Sequence, residues 1–468
     1  MIARDWRVLT ISSNSPFHLR ELGNGGLAYP GMQEVSIAFL KKAKKLYCLK
    51  SVFSSEENAR KAELDIKQLG YTVRRDGREL LVKCELEVAR KVLQERISGW
   101  AMASSTYEEE LREARFEVKI GDKQIILPPA AWLRLEMDNP TSKEPFLFSV
   151  SIDGRKARRY RGSLEVYSIN SSISLLVNEV DLEDYLKGVL PGEIPSSFSP
   201  ESLKAQAVVA RTYAFRCLGR HREEGYDFCN TQHCQVYLGY DYEKEKLNQA
   251  IEATRGIIIE YDGRPALTPY HSNCGGISEG AELWGLKLPY LKSKPDCDSS
   301  LKPASDGDIK ELLQALQSSN CQLAPDFRWS REYTADELAK IFSQSLPTIF
   351  KNDCKLGKIM NIRVVERTSS GRARVMEIQT DQGILSLKGE DIRWAFGNGS
   401  IASPGSLPSL LFYIEKKGDT FRIVGGGSGH GIGLCQWGAE GLARKGWSYI
   451  SIINYYFPGT ILQKRVNR

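Results

Sequence analysis

Val189 to Phe215 reads VLPGEIPSSFSPESLKAQAVVARTYAF, and it sets one carboxylate, Glu193, between two helix signals. Upstream, Asp181 is placed to cap a helix whose Leu182, Tyr185, Leu186 and Val189 share an apolar face. Downstream, Ser199 is a cap candidate, Pro200 fits the first helical position, and Glu201 suits the positive end of the helix dipole. Leu203, Ala207, Ala210, Ala214 and Cys217 then recur at helical spacing. The spacing predicts a helix, a short Gly/Pro-bounded loop carrying Glu193, and a second helix. A carboxylate held between packed helices has the positioning a general acid requires. On spacing alone, a loop Glu that meets solvent is the commoner outcome.

Working outward, 468 residues predict two or three domains. Hydrophobic residues make up 41% and charged residues 26%, ordinary for a globular chain. No run approaches the ~18 apolar residues of a membrane span. The net charge of +6 is partly local, in Lys41–Lys45 and Gly154–Gly162, and suits anionic partners. No interleaving of basic and aromatic residues points to nucleic acid. Met1 to Gly26 lacks the continuous apolar core of a signal peptide. Ten Cys are too few for a disulfide scaffold, yet six fall between Cys217 and Cys321, so a local role is expected there.

The predicted class is α+β: a small α/β unit over 1–115, then a β-rich domain with packed helices over 116–468. In the first, strands at Leu46–Phe53, Tyr71–Arg75 and Glu79–Leu86 alternate with helices at Ser54–Tyr71 and Glu87–Ile97. Ser54 and Glu57 predict a capping box. Alternating strands follow from Phe116, and Asp262-Gly263 turns a hairpin from Ile257–Tyr261 into Ala266–His271. Residues 295–352 read as a polar helical insertion. A second hairpin turns at Ser369-Ser370-Gly371, and helices close the chain.

Two further patterns carry chemistry. Cys229, His233 and Cys234, with His221 upstream, offer thiolate and imidazole ligands for zinc; a Cys229–Cys234 disulfide or buried free thiols fit the same residues. Gly425 to Gly438, GGGSGHGIGLCQWG, is glycine-rich around His430 but is neither a phosphate-binding loop nor a dinucleotide fingerprint.

These pieces resemble, in order, the stage II sporulation protein D and amidase-enhancer family of bacterial cell-wall proteins. The matching parts are Arg161–Val189, Glu193-Ile194-Pro195, Ala210-Arg211-Thr212-Tyr213-Ala214, Cys229–Gly239 and Gly425–Thr460, roughly the last two-thirds of the chain. The resemblance implies a lytic transglycosylase that cleaves the N-acetylmuramic acid–N-acetylglucosamine bond of peptidoglycan, with Glu193 as its acid/base. It implies structural zinc on His221, Cys229, His233 and Cys234, with His271 or Cys274 as replacements for the fourth ligand, and no cofactor in the chemistry. Arg211, Tyr213, Ser272, Tyr290, His430 and Gln436 become substrate-binding candidates. Gly275 and Gly276 are expected to let backbone approach a ligand. The family usually carries Ser where this chain has Cys435, which leaves hydrogen bonding there in doubt. Ser54–Val73 faintly resembles half of a SPOR-type glycan-binding repeat; a docking role fits it equally. The implied partners are glycan strands and a cell-wall amidase, the implied location is the periplasm or cell envelope, and the alternative function is that of a non-catalytic amidase enhancer.

Overall fold

The computed structural model describes every residue except 23–27, 70–71, 85–92, 94–96, 98–101, 138–144, 170–172, 297–308, 353–355, 401–402 and 466–468. It is α+β and divides into two compact units, Met1–Glu179 and Val180–Arg468. Among the described residues no helix is long and apolar enough to cross a membrane.

The first unit carries a twelve-stranded sheet with a helix packed on it, over a longer span than the expected 1–115. Its strands are β1 (Ala3–Arg4), β2 (Val8–Leu22), β3 (Ala28–Val52), β4 (Thr72–Asp76), β5 (Glu79–Cys84), β6 (Met102–Ile120), β7 (Lys123–Leu127), β8 (Trp132–Met137), β9 (Phe148–Ile152), β10 (Arg158–Tyr160), β11 (Ser163–Ile169) and β12 (Ile173–Glu179). A main path runs β1-β12-β11-β8-β2-β3-β5-β4, with β6 and β9 branching from β3 and β2. Alternation buries Leu9, Ile11, Phe17, Ile37, Phe116 and Val118. Helix α1 (Glu56–Gln68) packs Ala59, Ala62 and Ile66 against Leu80 and Val82. Its cap is Ser55, one residue later than expected. The boundary expected at 115/116 falls inside β6, because the apolar alternation of Phe116 and Val118 continues a strand already paired with β3. The helix expected over Glu87–Ile97 lies outside the described residues save for Leu93 and Ile97, which are buried.

The second unit is built on α3 (Pro200–Cys217), buried over nearly its whole surface: Leu203, Ala205, Ala207, Val208, Val209, Ala210 and Ala214 leave no solvent face. These small side chains admit α2 (Leu182–Glu193), α4 (Glu245–Ala253), α8 (Gln436–Arg444) and α9 (Tyr449–Tyr456) against one helix. Asp181 caps α2 through the Glu183 amide (2.9 Å), as expected. Ser199 makes no such cap bond; its amide and hydroxyl both donate to the Glu440 carboxylate (2.7 and 3.1 Å). At Asp262-Gly263 both residues have positive φ and turn β13 (Ile257–Tyr261) into the two-residue β14 (Arg264–Pro265). The expected return strand is redirected: β15 (Tyr270–His271) pairs in parallel with β24 (Leu434–Cys435).

The expected insertion near 295–352 contains α5 (Ile309–Ala315) and α6 (Ala335–Phe350), but also β18 (Arg328–Thr334), which pairs with β23 (Thr420–Gly426). Leu338, Phe342 and Leu346 of α6 form a second core with the three-stranded sheet of β19 (Ile359–Arg367), β20 (Ala373–Thr380) and β21 (Gly383–Lys388), and with Ile392 and Ala395 of α7 (Asp391–Ala395).

Candidate functional site

Glu193 is the last residue of α2, not a loop residue. Pro191 is accommodated in the final turn, and the helix ends at Ile194, whose amide donates to the Leu190 carbonyl. Ile194 and Phe198 are buried, and Phe198 meets Trp437 edge-on, so the segment after the helix is anchored. The Glu193 carboxylate Oε1 accepts from the Val236 amide at 2.7 Å. Its other side-chain partner is the Tyr270 hydroxyl. The Glu193 carbonyl accepts from Gln436 Nε2 at 2.9 Å. Burial pushes the carboxyl up to about 7, against the Val236 and Tyr270 hydrogen bonds, which favour the ionised form.

This carboxyl opens on a cleft of about 640 Å³. Its walls include Gly192, Tyr213, Arg220, His233, Tyr270, Ser272, Trp284, Glu390, Arg393, Trp394, His430 and Gln436. Of the residues expected to meet substrate, Tyr213, Ser272, His430 and Gln436 line it. The other two do not. Arg211 is fully buried in a bidentate pair with Glu183 (2.9 and 2.7 Å) and donates to the Ile251 and Ile257 carbonyls. Tyr290 is a core residue against Tyr261, its hydroxyl accepting from the Leu267 amide. Gly275, at positive φ, also faces protein rather than ligand: a Cβ there would stand 2.6 Å from the Gly426 carbonyl carbon.

His430 and His271 are neutral. The Ile432 amide donates to His430 Nδ1 (3.0 Å), which leaves Nε2 to donate to the Tyr270 carbonyl (3.0 Å). Burial, with Arg393 nearby, pushes His430 down to about 3. Burial pushes His271 down to about 4, and His271 Nδ1 faces the Ile432 carbonyl at 3.1 Å. The glycines around them close this turn on itself: Gly431 has positive φ, and a Cβ there would strike the Arg372 guanidinium at 2.4 Å.

The sequence reading missed Val236, Gln235, Tyr270 and Glu390. Gln235 joins two tyrosines, its Nε2 donating to Tyr270 (3.1 Å) and its Oε1 accepting from Tyr185 (3.3 Å). Glu390 pairs with Arg393 at 2.6 Å. Tyr270 lies within the expected return strand Ala266–His271, but nothing local marked it as the partner of a residue far upstream.

The expected ligand set does converge. The donor atoms of His221, Cys229, His233 and Cys234 all lie within 4.8 Å of one another. Cys234 Sγ is 3.3 Å from His221 Nε2 and 3.6 Å from His233 Nδ1, and Cys229 Sγ is 3.7 Å from His233 Nδ1. His221 Nδ1 is held by Glu224 at 2.8 Å, which turns Nε2 toward the thiols, as a carboxylate on the far nitrogen does for metal-binding histidines. His271 is not in this group, and Cys274 belongs to another.

The profile of the stage II sporulation protein family matches residues 170–261, spanning Glu193 and the Cys/His group. An uncharacterized protein of Brachyspira hyodysenteriae is 33% identical over 316 residues, 66% of this chain and 74% of the relative. The chain belongs to the stage II sporulation protein D family. Stage II sporulation protein D of Bacillus subtilis is 29% identical over 300 residues, 61% of this chain and 75% of the relative. The Amidase enhancer of Bacillus subtilis is 31% identical over 292 residues, 59% of this chain, and the match spans only 40% of that longer protein. A domain of unknown function matches residues 279–433, which include the second core and Glu390. The family region thus carries both Glu193 and the loop that holds it.

Proposed function

We propose that this protein is a peptidoglycan lytic transglycosylase with Glu193 as its acid/base. The observation that carries the reading is a cleft carboxyl raised to about 7 and held by the Val236 amide and Tyr270. A carboxyl titrating there is protonated often enough to give its proton to the glycosidic oxygen between N-acetylmuramic acid and N-acetylglucosamine. That bond breaks and the N-acetylglucosamine hydroxyl leaves. The carboxylate then takes the proton of the muramoyl 6-hydroxyl, whose oxygen closes on the anomeric carbon to give the 1,6-anhydro end. Hydrolysis needs a second carboxylate as nucleophile or base for water. Glu390 is the other carboxylate among the described residues of the cleft wall, and its Oε2 is engaged by the Arg393 guanidinium at 2.6 Å rather than turned to a water or sugar.

The Cys/His group has the donors for a tetrahedral zinc with no open position, so its role is structural. His221, Cys229, His233 and Cys234 would hold the ion, and Arg220, 3.3 Å from His233 Nε2, would turn away from a nitrogen that must then carry the proton. Cys234 is followed by Gln235 and Val236, so such an ion would fix the chain that grips Tyr270 and Glu193. Action on glycan strands places the protein in the cell envelope.

Mass spectrometry of products from purified glycan strands tests the reading: anhydromuramic ends are expected, and reducing ends overturn the mechanism. Glu193→Ala should stop release with the fold intact. The name of the Bacillus subtilis Amidase enhancer supports a second reading, stimulation of a partner amidase. Binding without cleavage, and stimulation unchanged by Glu193→Gln, would favour it.

A further inference from the structure

Cys274, Asp296, Cys321 and Cys435 come from four separate segments: the loop three residues after β15, the residue after β17 (Lys294–Pro295), the turn after α5, and β24. All four are buried, and one ligand atom from each lies within 4.8 Å of the others. We infer that they form a second metal site, a three-thiolate, one-carboxylate cage for a single zinc ion.

The geometry suits one ion. Cys274 Sγ is 3.6 Å from Cys321 Sγ and 3.4 Å from Asp296 Oδ2. Zinc–sulfur bonds of about 2.3 Å set a tetrahedral sulfur–sulfur edge of about 3.8 Å. The remaining carboxylate oxygen, Oδ1, is oriented by the Tyr456 hydroxyl (2.7 Å) and Asn320 Nδ2 (3.4 Å). Cys435 Sγ accepts from the Cys274 and Gly438 amides, both at 3.3 Å, which fixes its position in the cage.

Cations surround the cage. Lys294, two residues before Asp296, acts electrostatically on its carboxyl. Arg372, fully buried, donates to the Cys274 carbonyl at 2.9 Å. Arg328 donates to the next carbonyl, Gly275, at 2.8 Å. Three thiolates and a carboxylate around a divalent ion leave a net negative charge for these guanidiniums to balance. The thiols and carboxyl release their protons as the ion binds. Four protein ligands leave no open position, so the ion is structural. It would tie β15, which carries Tyr270, to β24, which leads into Gln436, and so brace both supports of Glu193.

Native mass spectrometry of the full chain, loaded with zinc alone, tests this. The Cys229→Ser/Cys234→Ser double variant, which disables the other ligand set, should retain one zinc, and adding Cys321→Ser should remove it. Asp296→Cys should keep the ion and Asp296→Asn should weaken it at least tenfold against a chelator. Where the triple variant does not fold, cobalt in the double variant reads the same point through thiolate-to-cobalt absorption. A double variant without metal, or a Cys274–Cys321 disulfide in the freshly purified wild type, overturns the inference. Both results are independent of whether Glu193 cleaves glycan.

Discussion

Glu193 carries opposing demands in one side chain. Its burial lifts the carboxyl to about 7, while Val236 and Tyr270 hold the anion. If the protonated carboxyl starts the reaction, glycan release should persist on the acid side and fall as pH rises through about 7, read as the basic limb of a rate profile. Tyr270→Phe removes a bond that favours the anion, so that limb should move to higher pH while the rate drops. Linkage gives a separate check. The folded carboxyl binds its proton more tightly than the ordinary 4.5, so the fold is favoured while Glu193 is protonated and loses that advantage as pH rises through about 7. Glu193→Gln should therefore raise stability by roughly 2 kcal/mol near pH 9, after allowance for partial exposure, and by nothing below about pH 4.5. Denaturant titrations at both pH values check it.

At the scale of elements, α2 is docked through two glycines. A Cβ on Gly192 would stand 2.8 Å from Val236 Cγ1, and one on Gly188 would stand 2.4 Å from Tyr237 Cε2. Gly192→Ala should displace the Val236 amide from Glu193 and cut the rate about tenfold with little loss of stability, since 1.4 kcal/mol is a tenfold change. Gly188→Ala gains helix propensity but meets an aromatic ring, and should cost about 1–3 kcal/mol in thermal melts. The Glu183–Arg211 pair clamps α2 to α3 in the interior, so Arg211→Met should destabilise by roughly 3–5 kcal/mol. Substrate affinity per folded molecule should stay unchanged.

These elements also show which parts were legible in the sequence. The α2 and α3 helices, Glu193 and the Cys/His group were readable because their signals lie within a few turns: Asp181 before Glu183, Pro200 at the first helical position, Cys229 four residues from His233. Tyr270, Glu390 and the Cys274–Asp296–Cys321–Cys435 group were not, because tertiary pairing alone joins them. Arg211 and Tyr290 matched a pattern correctly but serve packing. The return strand after Asp262-Gly263 was misplaced because β15 finds a better partner about 160 residues further on, in β24.

Across the whole molecule, the first unit has its own sheet and the second unit holds every residue of the cleft. The second core adds Glu390, Arg393 and Trp394 to that cleft from a block, Arg328–Ile423, that packs around its own apolar centre. The chemistry and the far wall thus depend on different cores. A wall with a core of its own is a cassette, here tied to the rest through Arg328 on Gly275, Arg372 on Cys274, and Thr368 and Ser370 on Glu279. Replacing Arg328–Ile423 with the corresponding block of a relative, with Arg372 and Glu390 kept, should leave the anhydro product unchanged while altering which glycan lengths are cut. Chromatography of products from strands of defined length would show the transfer, and an unchanged length profile would mean that the wall does not select substrate. Selection could then change within this family by exchange of that cassette while the proton-transfer machinery stayed fixed.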